Sequence, residues 1–192
     1  MNKQATSIAA SIFQAADPVI IIRALVGSRW VRGVPETDDR YGPWLPADYE
    51  ILNEEAWSHS GACLYLVGAS DSNIRYVGMS RNRLQDRWRT SPAYDAENPQ
   101  QKLPRKQLFH NQCWKHIEAE SAANPGTWFQ VRTIAEERLV PLLEDIGPPV
   151  SSLTESRPDG KSIVERVESW LCSHSSNELA PWNVTGTGTP KS

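Results

Sequence analysis

Two short apolar segments decide the fold: Ala62-Cys63-Leu64-Tyr65-Leu66-Val67 and Ile74-Arg75-Tyr76-Val77-Gly78-Met79. A polar stretch from Gly68 to Asn73 lies between them. Apolar, aromatic and β-branched residues on either side of turn residues predict a β-hairpin. With Val67 opposite Ile74, Tyr65 faces Tyr76, and facing Cβ atoms in such a pair are about 5 Å apart. Two phenols then meet, each able to donate or accept a hydrogen bond. Gly78 removes a side chain where a backbone or ligand can approach closely. Taken alone, the two tyrosines read as an aromatic contact in a sheet core.

Downstream of the hairpin, Ser80 to Thr90 reads as a helix with Leu84 and Trp88 on its inner stripe. A loop follows from Pro92 to Pro104. Arg105 to Ala122 reads as a second helix, with Phe109, Cys113 and Ile117 four apart. Trp128 to Ile134 alternates and predicts a third strand. Residues 136–146 are helix-like, Pro148 to Gly160 a loop, and Ser162 to His174 a strong helix. Pro181-Trp182-Asn183 opens the final segment. Upstream, residues 1–60 combine a small-residue helical stretch, the apolar run Pro18 to Val26 and an irregular part punctuated by Pro35, Gly42, Pro43 and Pro46. The expected organisation is an N-terminal extension (1–60) packed on a core domain (61–184), with a flexible tail (185–192).

At 192 residues the chain can bury a core without help from disulfides or metals. Its three cysteines, Cys63, Cys113 and Cys172, form no CxxC pair, which argues against a disulfide framework or structural zinc. The apolar runs are too short for a membrane span, and Gln14 and Asp17 interrupt any signal-peptide core. A cytoplasmic protein without membrane partners is expected. Net charge is −3, yet the span from Arg75 to Lys115 holds nine basic residues against three acids. A basic patch on an acidic chain is the pattern of a phosphate footprint, and equally of a solvated helix face.

Three further side chains carry chemistry. Arg87 lies at the margin of the Leu84–Trp88 stripe, where its guanidinium can reach over a sheet edge toward a phosphate. In the last helix, Ile163, Val164, Val167, Trp170 and Leu171 form the apolar stripe, and about 100° per residue puts Glu168 at its edge. Glu165 has a local task, because Ser162 and Glu165 have capping-box spacing. That leaves Glu168 to face a cleft, and one carboxylate completed by waters and substrate phosphate is a common way to hold Mg²⁺. Asp159-Gly160-Lys161 matches the end of another nuclease signature, but reads as a turn before a capped helix and is set aside.

This ordered set resembles the GIY-YIG nuclease superfamily over about residues 63–184. The first motif stands here as Cys63-Leu64-Tyr65, departing at both leading positions. The second stands as Tyr76-Val77-Gly78, and the interval from Tyr76 to Arg87 carries one residue more than is usual. Many members have His or Tyr four residues after the Arg, where this chain has Ser91; Tyr94, His110 and His116 are candidates for that role. The loop from Pro141 to Lys161 is longer than the family core.

The resemblance implies an α+β fold, a small three-stranded antiparallel sheet flanked by helices. It implies a divalent-metal-dependent DNA endonuclease, with Mg²⁺ or Mn²⁺ held by Glu168. Tyr65, Tyr76, Arg87, Glu168 and Asn183 would be catalytic: Arg87 for the phosphate charge, a tyrosine for the attacking water, Asn183 for fixing a catalytic group or phosphate. Arg81, Arg83, Arg89, Lys102, Arg105 and Lys106 would contact the DNA backbone. The leading subclass is a free-standing restriction-type or phage-related enzyme, and double-strand cutting would call for a homodimer. The alternative is the same fold with a blunted site, binding DNA or protein without cutting. Arg29, Arg32 and Arg40, beside Trp30 and Tyr41, would contribute to target recognition.

Overall fold

The computed structural model describes residues 3–25, 47–88, 113–155 and 158–184. In chain order the elements are α1 (Lys3–Ala15), β1 (Asp17–Leu25), β2 (Ala47–Ile51), α2 (Glu54–Ser58), β3 (Cys63–Ala69), β4 (Ile74–Ser80), α3 (Leu84–Trp88), α4 (Cys113–Ala123), β5 (Phe129–Ala135), α5 (Glu136–Ile146) and α6 (Ile163–Ser173). A 3-10 turn, Pro181–Asn183, closes the described chain. The predicted loop at 92–104, the start of the helix expected from Arg105, and the arginines at 29, 32 and 40 lie outside the described residues.

The fold is α+β, but its sheet has five strands, in the order β2-β1-β5-β3-β4 with every neighbour antiparallel. The expected sheet of three is therefore too small. The two extra strands come from residues 1–60, which enter the sheet itself. The β-branched run after Pro18 pairs with β5 along one edge and with β2 along the other. Such a run fits a pleated, buried surface. Its partners lie far along the chain, so no local pattern announces the pairing.

Helices cover both faces. On one, α1, α5 and α6 pack over Leu64, Leu66, Val77 and Ile134. On the other, α2, α3 and α4 pack over Tyr65, Val67, Phe129, Val131 and Ile20, with Trp57, Trp88 and Trp182 filling the layer. This explains the unbroken apolar run of β3: every residue from Cys63 to Ala69 is buried. A strand covered on both faces has no solvent side to alternate with.

The hairpin forms as expected, but its register differs. Val67 pairs with Tyr76 and Gly68 with Ile74, so Arg75 is an extra residue on β4. Tyr65 consequently lies opposite Gly78 rather than Tyr76. The cause is the connection. Asp71 accepts hydrogen bonds from the backbone and side chain of Asn73, at 3.0 and 2.9 Å, and Ser72 adopts φ 67°. Ala69 N–H closes the turn on Asn73 C=O at 3.0 Å. This short polar turn fits a bulge better than a direct Val67–Ile74 pair.

Arg75 then leaves the ladder and clamps α4. Its guanidinium reaches both carboxylate oxygens of Glu120 at 2.8–3.0 Å and Asp71 at 2.8 Å. Slight burial raises the Asp71 carboxyl, but the Arg75 and Asn73 hydrogen bonds outweigh it and hold the group at about 2. No helix among the described residues is long and apolar enough to cross a membrane.

Candidate active site

β4 is an edge strand, and an edge strand presents unpaired backbone groups that must be satisfied. Here chain segments remote in sequence satisfy them. Ala180 N–H donates to Ile74 C=O at 3.1 Å. The Asn183 side chain pairs with Val77 as a neighbouring strand would: its Oδ1 accepts from Val77 N–H and its Nδ2 donates to Val77 C=O, both at 2.8 Å. At Met79 the two charged candidates converge. Arg87 Nη2 donates to Met79 C=O at 3.2 Å, and the Glu168 carboxylate accepts from Met79 N–H. The edge of one strand thus collects Arg87 from α3, Glu168 from α6 and Asn183 from the 3-10 turn.

The tyrosines lie on the face of the sheet under α3 and α4. Their rings stack with centroids 6.0 Å apart and 25° between planes. Trp88 meets Tyr65 edge-on, with centroids at 5.7 Å. Gly78 makes the stack possible: a Cβ there would lie 2.6 Å from the Tyr65 ring and hydroxyl and 2.7 Å from Tyr76. The Tyr65 ring occupies the space above Gly78 and so reaches Tyr76 diagonally. We expect Gly78→Ala to cost about 1–3 kcal/mol, because two packed rings must move. Urea unfolding measures this, and a midpoint equal to the parent's would refute the packing argument.

Burial governs the charges of these groups. Burial raises the Tyr65 phenol well above the usual value, and the nearby Tyr76 and Cys113 add to the rise. Tyr76 is also raised, first by burial; a hydrogen bond with Tyr65 opposes this in part. Both phenols therefore stay protonated at neutral pH. Tyr65 is 3% exposed, whereas Tyr76 is only half-buried, so Tyr76 is the phenol that a ligand can touch. Burial also raises the Glu168 carboxyl, the Met79 N–H and the Arg87 charge offset part of the rise, and Glu165 adds to it.

A half-buried carboxylate held above its ordinary pKa gains from a bound cation, so Glu168 fits a divalent ion completed by water and phosphate. No group of three His, Cys, Asp or Glu side chains able to hold a metal occurs among the described residues.

Asn183 is 2% exposed. Its second amide hydrogen points to Cys172 Sγ at 3.3 Å. With Val77 taking the rest, both amide hydrogens are used within the protein. Asn183 holds the strand that carries Tyr76 and Met79. The expected capping box is present: Ser162 Oγ accepts from Glu165 N–H at 3.2 Å, and Glu165 Oε2 accepts from Ser162 N–H at 3.0 Å. The Asp159-Gly160-Lys161 segment is a turn, with Asp159 Oδ1 accepting from Lys161 N–H at 3.1 Å and Gly160 at φ 67°.

Of the predicted DNA-contacting residues, Arg81 and Arg83 are described and exposed on the connector between β4 and α3. Arg81 is ion-paired with Glu165. Arg89, Lys102, Arg105 and Lys106 lie outside the described residues, as do Ser91, Tyr94 and His110. His116 stacks on Trp182 at 5.3 Å, an indole that also meets Phe129. It lines an open cleft of about 740 Å³ with Arg75, Glu120 and Glu178, beside β4.

Sequence reasoning missed the Met79 backbone as the meeting point, and the buried Arg166. That arginine donates to Leu153 C=O at 2.8 Å and Lys161 C=O at 3.0 Å, tying down the loop before α6. Its position on the apolar side of α6, between Val164 and Val167, was the available signal. No family model, curated protein or solved structure matches this chain.

Proposed function

We propose that this chain is a divalent-metal-dependent DNA endonuclease of GIY-YIG type. The observation that carries the reading is the convergence of Arg87 and Glu168 on the C=O and N–H of Met79 at the strand edge, beside a stacked tyrosine pair. A cation and a half-buried carboxylate side by side at one residue of a strand edge form a frame able to grip a phosphodiester.

Glu168 would hold Mg²⁺ or Mn²⁺. When bound, the ion supplies Lewis-acid polarisation of a phosphoryl oxygen and stabilises the leaving oxygen. Arg87 is exposed, and among the described residues it donates to Met79 C=O. The rest of its fork can meet the charge that builds on the phosphate. Tyr76 stays protonated, so its part is to orient the attacking water by hydrogen bond, with Tyr65 donating from behind. Arg81, Arg83 and the basic stretch beyond them would track the backbone, giving affinity rather than sequence choice. A module of the same type that binds DNA or protein without cutting is the alternative outcome, and the departures at Cys63-Leu64 and Ser91 favour it.

Plasmid nicking decides between them. Purified protein with Mg²⁺ or Mn²⁺ is expected to convert supercoiled plasmid, and EDTA to stop it. No cutting of plasmid, branched or single-stranded DNA by folded protein would overturn the reading. Arg87→Ala is expected to lower kcat by about 10²–10³ with little change in KM. Arg87→Lys should recover only part of this, since an ammonium lacks the planar fork that spans two acceptors. A rise in KM at unchanged kcat would place Arg87 in ground-state binding instead.

A further inference from the structure

We propose that the ion pair between Arg81 and Glu165 is a positioning latch that holds the segment bearing Arg87 in working register with Glu168. The inference rests on the nuclease reading and assigns Arg81 a second task beyond backbone contact.

Arg87 and Glu168 must flank one phosphate, yet they come from elements that do not pack broadly on each other. α3 has five residues and packs on α2, with Trp88 against Tyr65 of β3. A helix that short has no stability of its own, so its position depends on what ties its ends. Its two ends are seated in the core by Leu84 and Trp88, both fully buried, which leaves the exposed connector ahead of it as the part without a core anchor. That connector is tied to α6 by the Arg81 guanidinium on Glu165 Oε1.

Glu165 is a prepared partner. Its other oxygen is held by Ser162 N–H at 3.0 Å within the capping box, and its side chain is 21% exposed. One member of the pair is thus already ordered, which lowers the entropy cost that usually makes surface pairs weak. The latch also attaches one turn before Glu168 on the same helix. Its positive charge offsets that of Glu165, which acts unfavourably on the Glu168 carboxylate. A connector free at this point would let Arg87 drift, and a misplacement of about 1 Å at a reacting centre can cost on the order of 10²-fold in rate.

The test compares Arg81→Ala, Arg81→Lys, Glu165→Gln and the double Arg81→Ala/Glu165→Gln in the full chain. Gln keeps the capping box while removing the charge. Hydrogen exchange of the 81–88 amides is read without DNA. It is expected to speed up roughly three- to tenfold in Arg81→Ala and in Glu165→Gln, to stay near the parent in Arg81→Lys, and to speed up no further in the double variant. In plasmid cleavage the same two single variants should lose roughly tenfold in kcat; KM for DNA should stay nearly unchanged in Glu165→Gln and rise in Arg81→Ala, which also loses its backbone contact.

Unchanged exchange in Arg81→Ala would overturn the latch. So would a pure rise in KM with the salt slope reduced by about one, the mark of a simple phosphate contact. If the parent cuts no DNA with either metal, the nuclease reading fails, and the exchange data decide the latch by themselves.

Discussion

Glu168→Gln is expected to lower metal-dependent cleavage by at least about 10³-fold while leaving the folded protein as stable as the parent, or more so. Loss of the ligand removes several kcal/mol of transition-state stabilisation, and about 4 kcal/mol is a factor of 10³. Stability moves the other way because the carboxyl is raised by burial. In the interval between the ordinary glutamate value and the raised one, the folded state binds more protons than the unfolded state. The contribution of this group to stability is therefore present at low pH and lost as pH rises through the folded pKa. At neutral pH the ionised carboxylate costs stability; Gln carries no such cost and can still accept from Met79 N–H. A rise in Tm of about 1–3 °C at pH 7, shrinking toward pH 4, is the expected calorimetric result. Cleavage by the parent should also climb with pH as Glu168 ionises. Cutting that survives Glu168→Gln would move the metal to another group, and a lower Tm would show that the carboxylate holds the fold together.

The largest loss of stability is expected at Asn183. Asn183→Ala leaves the N–H and C=O of Val77 without their partner under a buried turn, and removes the contact with Cys172 Sγ. Each buried group left unpaired costs about 1–3 kcal/mol. A total of about 3 kcal/mol corresponds to a fall in Tm of roughly 6–12 °C for a chain of this size. Asn183→Asp tests the same geometry through pH. An ionised Asp can accept from Val77 N–H, but sets a second oxygen against Val77 C=O, whereas a protonated Asp can donate there. It should be worse than Ala at neutral pH and recover as pH falls, because burial raises a carboxyl and stability returns below its folded pKa. Equal Tm values for the parent and Asn183→Ala would show that the turn holds β4 by side-chain packing alone.

The pattern of the site follows from how its parts are encoded. The hairpin segments, the Ser162/Glu165 capping box and the apolar stripe of α6 depend on neighbours within a few residues, so they were legible in the chain. Glu168 could be separated from Glu165 by the same local geometry. The pairing of Tyr65 with Tyr76 was legible only as proximity. Its register turned on a bulge at Arg75, and that bulge depends on the Asp71–Asn73 turn and the reach of Arg75 to Glu120 on a helix 45 residues away. Asn183 and Val77 are separated by 106 residues, and no periodicity connects an amide side chain to the strand edge it completes.

By itself, the sequence determined the central hairpin, the third strand, the capped last helix and the kinds of side chain available for chemistry. These are set by backbone preference, side-chain period and local hydrogen bonding, which act over one or two turns of chain. Tertiary structure alone decided that the run after Pro18 joins the sheet, that the strand count is five, and that β4 ends as an edge. It also decided that Arg87 and Glu168 meet on Met79 and that Asn183 is consumed in holding Val77. The physical reason is one of satisfaction. An edge strand buried under helices and a turn must find partners for its outward N–H and C=O groups, and those partners are chosen by which distant side chains the packed layers bring within reach.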